Sequence, residues 1–388
     1  MKKGFSVLAF VVLLAACGAA VPTATPTLPP PAVTPAPPTP TPVPPTPAPT
    51  NTREPLGFAL SEPGPYFTGN RAYTFVDESR NGREIKVTIW YPALKQTDAN
   101  GTVIRRNATP DMSGAPYPLI LTDPNTGDKL FLDHLVSHGF VMAVVRFPDF
   151  FAYDNWDIGI VDDPLDTLFV LDQIASHPPE GLEGVIDADH AGVGGYSWGG
   201  FYALAVSGVR IDPEYYLSYC QKAPTIEPKL EEWYLKYICS LADKWDEFAA
   251  HVGDAITVSA DGLWQPLTDE RIRAVMPMAA DGAWLYGERG LAAVDRPVLM
   301  IQATEDSPYQ PAEAAFIFEN LETQEKSMIS FVGKEHLMVF EPESAKRMNH
   351  FATAFFGYHL QGREDYARYF SQDFVAQFDD LAWGVYKK

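Results

Sequence analysis

Residues 194–201 read GGYSWGGF, inside the longer run Ala191-Gly192-Val193-Gly194-Gly195-Tyr196-Ser197-Trp198-Gly199-Gly200-Phe201-Tyr202-Ala203-Leu204-Ala205. Gly195-Tyr196-Ser197-Trp198-Gly199 fits G-x-S-x-G, a strand that turns sharply into a helix with a hydroxyl at the apex. The chain holds 28 glycines, so a short pattern of this kind also arises by chance and its flanks decide its meaning. Here the flanks agree. Ala191–Tyr196 reads as a small buried strand and Gly199–Ala205 as a helix start. Glycines beside the serine suit a strained turn that brings neighbouring segments close.

Outward from this stretch, short apolar runs recur with helical patterns between them. Strands are expected at Leu119–Thr122, Val141–Phe147, Ala191–Tyr196, Ala274–Met278, Val298–Gln302 and Met328–Val332. Helices are expected at Leu130–Ser137, Pro164–Ser176, Gly199–Val206, Ala312–Leu321 and Glu343–Tyr358. Such alternation indicates βαβ units and a largely parallel sheet. Before it, Arg71–Val76 and Glu84–Tyr91 surround Asn81-Gly82 and predict an antiparallel hairpin.

Residues 210–270 break the rhythm and read as a helical insertion. Leu230, Trp233, Tyr234, Tyr237, Ile238 and Leu241 fall at helical spacing on one face, read as packing against the body of the domain in preference to gripping a substrate. Cys220 and Cys239 lie within this insertion, and an exported chain permits them to pair.

Export is suggested by the N-terminus. Lys2 and Lys3 precede an apolar run from Phe5 to Leu14, too short for an ordinary membrane-spanning helix. The run ends in Leu14-Ala15-Ala16-Cys17-Gly18, which resembles a bacterial lipobox with Cys17 as the lipidated residue; the other reading is a plain secretory signal. Prolines then crowd the segment, 14 of them from Pro22 to Pro49, with no charge from Val21 to Thr50. In polyproline geometry these residues make a semi-rigid spacer of up to roughly 90 Å; the other reading is a low-complexity segment with no set length. The expected organisation is a signal over 1–17, a Pro/Thr-rich linker over 18–54 and a folded domain over 55–388. The net charge of −21 argues against a nucleic-acid partner, which needs clustered Lys and Arg.

A serine hydroxyl becomes a nucleophile when an imidazole takes its proton and a carboxylate orients that imidazole. Downstream, Pro297–Asp306 is a strand ending in acids, and Ser330-Phe331-Val332-Gly333-Lys334-Glu335-His336 carries another strand into a histidine. His336 directly follows the last expected strand, whereas His350 and His359 sit in the final helical pattern, where surface or capping roles are expected. Two acids compete. Asp306 follows the penultimate strand and is preferred; Asp281, in Met276–Gly282, also ends a strand.

With Gly64-Pro65-Tyr66, Val87–Pro92, Ser137-His138-Gly139-Phe140-Val141, Pro164-Leu165-Asp166, Phe169–Asp172, the serine turn and Arg271–Val275, the chain resembles the α/β-hydrolase superfamily over roughly residues 62–358. It is similar to bacterial proteins related to platelet-activating-factor acetylhydrolases and dienelactone-hydrolase-like esterases, and more distantly to cutinase-like polyester hydrolases. The resemblance implies the α/β-hydrolase fold and a Ser197–Asp306–His336 triad. It keeps Asp281 open, since some of these acetylhydrolases place the acid there. Where relatives carry His-Gly, this chain has Thr122-Asp123-Pro124-Asn125-Thr126-Gly127, so the correspondence gives Thr126 and Trp198 as backbone donors to an oxyanion. The implied activity is extracytoplasmic ester hydrolysis through an acyl-enzyme. No cofactor or metal is expected, the partners being an ester substrate and a membrane reached through the lipid. The alternatives are an amide hydrolase or acyltransferase with the same triad, or a non-catalytic surface-binding lipoprotein. Substrate and oligomeric state are not legible.

Overall fold

The computed structural model describes residues 56–124, 126, 129–148, 156–226, 229–253, 258–306 and 311–387. Cys17, the signal and the Pro-rich linker lie outside the described residues.

The first strands among the described residues are the expected hairpin, β1 (Phe67–Asp77) and β2 (Arg83–Ala93), paired antiparallel along their whole length. Asn81 and Gly82 turn it with φ of 58° and 69°, left-handed values that asparagine and glycine adopt most readily. Two short strands, β3 (Gln96–Thr97) and β4 (Val103–Ile104), form a separate ribbon.

Then come β5 (Tyr117–Thr122), α1 (Lys129–Ser137), β6 (Val141–Arg146), α2 (Trp156–Ser176), β7 (Ile186–Tyr196) and α3 (Trp198–Ala205). The insertion contributes α4 (Pro213–Lys222), α5 (Glu232–Ile238) and α6 (Trp245–Val252). The sheet resumes with β8 (Ile272–Met278), α7 (Ala283–Leu291), β9 (Val298–Ala303), α8 (Pro311–Asn320), β10 (Lys326–Phe331) and α9 (Pro342–Gln361). A four-residue α10 (Gln372–Val375) leads to a short edge strand, β11 (Leu381–Trp383).

Among the described residues, nine strands form one sheet in the order β1-β2-β6-β5-β7-β8-β9-β10-β11, with β6 to β10 parallel and both ends antiparallel. The architecture is α/β, a mostly parallel sheet flanked by helices. Every residue of β5 and of β9 is buried, as parallel strands covered on both faces require. Side chains alternate between two cores. Leu119 and Leu121 pack with Val170 of α2 and Phe201 of α3, whereas Ile120 packs with Leu135 of α1 and Phe355 of α9.

From β5 the chain steps to β6 on one side and later to β7 on the other. Strand order therefore reverses beside β5, and the carboxyl ends of the strands at such a reversal are the usual place for a ligand in an open α/β sheet.

Three expectations change. The second helix begins at Trp156 rather than Pro164, which lies inside it. Of the insertion's aromatic stripe, Tyr234, Tyr237, Ile238 and Leu241 are buried, but Trp233 is 53% exposed. His350 is neither on the surface nor at a helix end: it is fully buried, accepts a hydrogen bond from the Leu60 N–H at 3.1 Å, and has its pKa lowered to about 3 by burial.

Cys220 and Cys239 are joined, with Cα atoms 5.5 Å apart, linking the end of α4 to the residue after α5. A disulfide belongs to an oxidising, extracytoplasmic environment. Among the described residues, no helix is long and apolar enough to cross a membrane. Closing a loop with a sequence separation of 19 contributes about 3 kcal/mol in the chain-entropy view. Alkylated, non-reduced mature protein is expected to show no free thiol at either position by intact mass, and reduction should lower the melting temperature by several degrees. An unchanged melting curve after verified reduction would mean that the insertion is held by packing alone.

Candidate active site

Ser197 lies between the last residue of β7 and the first of α3, with φ 60° and ψ −120°. A non-glycine residue held there costs on the order of 1–3 kcal/mol and persists when its surroundings over-determine it. They do so here: the Ser197 N–H donates to the Met278 carbonyl at 2.9 Å, and its carbonyl accepts the Phe201 N–H at 3.1 Å. The flanking glycines are required by space. A Cβ on Gly195 would stand 2.1 Å from the Gly199 carbonyl oxygen, and one on Gly199 would stand 2.5 Å from Asp123 Oδ1. Although Ser197 occupies the N-cap of α3, its hydroxyl does not cap the helix. It lies 3.0 Å from His336 Nε2.

His336 follows β10, and its Nδ1 lies 3.1 and 3.0 Å from the two carboxylate oxygens of Asp306. Asp306 follows β9, its side chain wholly buried. The two loops are tied together by the Glu305 N–H donating to the Lys334 carbonyl (2.8 Å) and the Gly333 N–H donating to Thr304 Oγ1 (2.8 Å). Ser197, His336 and Asp306, carried by three different strand ends, thus stand in one hydrogen-bonded line. Such a line can move a proton from hydroxyl to imidazole while the buried carboxylate faces the charge that forms.

Asp281 is not part of that line. It is fully buried after β8, where the Tyr237 hydroxyl and the Trp284 indole N–H face its carboxyl group. Its neighbour Glu313, on α8, accepts the Gly282 and Ala283 N–H groups at 3.0 and 3.1 Å, capping the start of α7. Burial raises the pKa of both acids, and the Glu313 charge raises that of Asp281 further. The two helix-end donors favour the negative form of Glu313, leaving Asp281 as the protonated partner.

The donor expected from Thr126 is already engaged: its N–H donates to Asp123 Oδ1 at 2.9 Å. The Thr126 hydroxyl also donates to Asp123 and accepts the Tyr196 N–H at 3.0 Å, so Thr126 clasps the loop after β5 to the base of the serine turn. Trp198 is the first residue of α3, and first-turn N–H groups face out of the helix end. Its indole donates to Asp163 of α2 at 2.9 Å and stacks on Phe201.

Four supporting residues escaped the sequence reading: Asp123, Asp163, Tyr196, whose hydroxyl donates to the His336 carbonyl, and Gln302, whose Nε2 donates to Asp306 Oδ2 at 3.1 Å. Only Gln302 carried a signal, its place at the end of the strand that presents the acid. Among the described residues, no group of three or more His, Cys, Asp or Glu is placed to hold a metal ion.

Comparison with family models and with curated proteins returns no match for this chain.

Proposed function

We propose that the protein is a serine hydrolase of the α/β-hydrolase type that cleaves carboxylic esters through an acyl-enzyme. The observation that carries this reading is the strained Ser197 with its hydroxyl 3.0 Å from His336 Nε2, while Asp306 holds the opposite ring nitrogen. Ser197 Oγ attacks the ester carbonyl as His336 Nε2 takes its proton; the alcohol leaves with that proton; water then repeats the sequence on the acyl-enzyme. The Trp198 N–H serves the oxyanion. A lipid on Cys17 and the proline-rich linker hold the domain outside the cytoplasm, near a membrane.

A second reading, a surface-binding protein on a hydrolase scaffold, is favoured by one observation. The Thr126 N–H, expected to face the oxyanion, faces Asp123 instead. A missing oxyanion donor lowers turnover by about 10²–10³-fold. A fluorophosphonate probe separates the two readings, because only an activated serine reacts at a useful rate. Covalent labelling is expected at Ser197, seen by peptide mass mapping, and absent after His336→Ala. No labelling of the intact protein would favour the binding scaffold.

A further inference from the structure

The two most exposed large apolar side chains among the described residues are Phe340, 68% exposed, and Leu337, 64% exposed. Both belong to one short 3-10 helix, His336–Phe340, whose first residue is the base of the serine site. With three residues per turn, positions i and i+3 of such a helix eclipse each other, so Leu337 and Phe340 share one side. Met338, fully buried, roots the turn in the core; its N–H donates to the Glu335 carbonyl at 3.0 Å, and its carbonyl accepts the Glu341 N–H at 3.0 Å. The Tyr196 hydroxyl, donating to the His336 carbonyl, ties the start of the turn to the end of β7. An apolar ridge is thus fixed next to His336, and at this exposure it adds little to the stability of the fold.

The chemistry of the site decides which part of a substrate passes the ridge. Ser197 follows β7; strand order puts the loop after β5 on one side of it and the loops after β9 and β10, with Asp306 and His336, on the other. In the acylation half of the reaction the proton held on His336 Nε2 passes to the leaving alcohol, whose oxygen must lie within hydrogen-bond reach of that nitrogen. The alcohol therefore departs on the β10 side, where the ridge begins one residue beyond the base. A 3-10 helix rises about 2 Å per residue, so apolar surface continues for about 8 Å from His336 to Phe340. From Lys334 to Glu343 the chain carries three glutamates against one lysine, and that lysine pairs with Glu341 at 2.5 Å. These acids repel an anionic alcohol, and the ridge itself presents hydrocarbon alone.

We infer that Leu337 and Phe340 determine specificity by binding the alcohol part of the ester, and that the substrate class is an ester of an uncharged, long-chain aliphatic alcohol. The inference deepens the hydrolase reading and rests on it.

The test uses the mature protein and the acetate esters of ethanol, butan-1-ol, hexan-1-ol and octan-1-ol, each below its solubility limit, with acid release followed in a pH-stat. In the parent, kcat/KM should rise from ethyl to octyl acetate by at least about tenfold, since each methylene fully buried is worth up to about fourfold. Leu337→Ser/Phe340→Ser is compared with the milder Leu337→Ala/Phe340→Ala, and melting curves verify folding. The serine variant should lower the octyl-to-ethyl ratio about tenfold, the alanine variant less. In the same variants, a series lengthened in the acid instead, ethyl acetate to ethyl octanoate, should keep its ratio within about twofold, because the acyl chain is a different substituent of the tetrahedral carbon and points away from the leaving oxygen. A flat alcohol series in the parent, an octyl-to-ethyl ratio that survives in the folded variants, or an equal loss in the acyl series overturns the inference. Fluorophosphonate labelling keeps the two proposals apart: labelled Ser197 with a flat alcohol series removes the ridge and leaves the hydrolase. No labelling and no turnover of any ester removes the hydrolase and, with it, the substrate role of the ridge.

Discussion

Ser197→Ala and His336→Ala are each expected to lower p-nitrophenyl ester hydrolysis by about 10⁴-fold or more, and the double variant should be no worse than either alone. The reason is that hydroxyl and imidazole act as one unit: without the base 3.0 Å away, the alcohol keeps its proton, and without the alcohol the base has nothing to deprotonate. Stability should change little in His336→Ala, because the ring is partly exposed and its backbone carbonyl still accepts the Tyr196 hydroxyl. Ser197→Ala keeps the same strained backbone without the hydroxyl. Steady-state kinetics on folded variants decides the matter. Turnover within tenfold of the parent in either variant would remove the serine mechanism.

The second large effect separates the two acids. Asp306→Asn should reduce kcat by about 10²–10⁴-fold, because an amide can present its NH₂ to His336 Nδ1 and favour the wrong tautomer. Asp281→Asn should leave kcat within a few-fold. Its effect belongs to stability. Burial and the Glu313 charge hold the Asp281 pKa well above the usual carboxyl range. Above about pH 4 the unfolded chain gives up this proton while the folded chain keeps it. The contribution of Asp281 to stability is therefore fully present at lower pH, falls as pH rises, and is lost by the time pH passes the folded pKa. An asparagine cannot ionise in either state, so Asp281→Asn should flatten the loss of stability on the alkaline side, measured as melting temperature against pH. A large loss of kcat in Asp281→Asn with full activity in Asp306→Asn would move the acid to β8.

Most of the sheet was legible because its signals are local. Each parallel strand is a short apolar run covered on both faces, and each such run stands within a few residues of its expected bounds, from β5 to β10. The edge strand β11 was missed, being three residues long with only Leu381 buried. The start of α2 was missed because a proline inside a helix reads as a boundary, whereas packing on both sides of Pro164 keeps the helix intact. His350 was misplaced for a related reason: its position in a helical pattern fixes a direction around the axis, not what lies there. The packing of Phe58, Tyr369 and Phe374 around it makes that direction the core.

At the site, the sequence by itself determined the serine turn, its glycines and the histidine loop. The backbone at Ser197 tolerates only small neighbours at Gly195 and Gly199, and that constraint acts over five adjacent residues. It also restricted the acid to two strand ends without choosing between them. The tertiary structure places the two differently: Asp306 approaches His336 through loops stapled between β9 and β10, while Asp281 lies beside the helix end that Glu313 caps from 31 residues away. The Thr126 N–H facing Asp123 was likewise settled only on folding. Contacts of this kind depend on strand order and register, and those follow from the packing of the whole sheet rather than from the composition of any one segment.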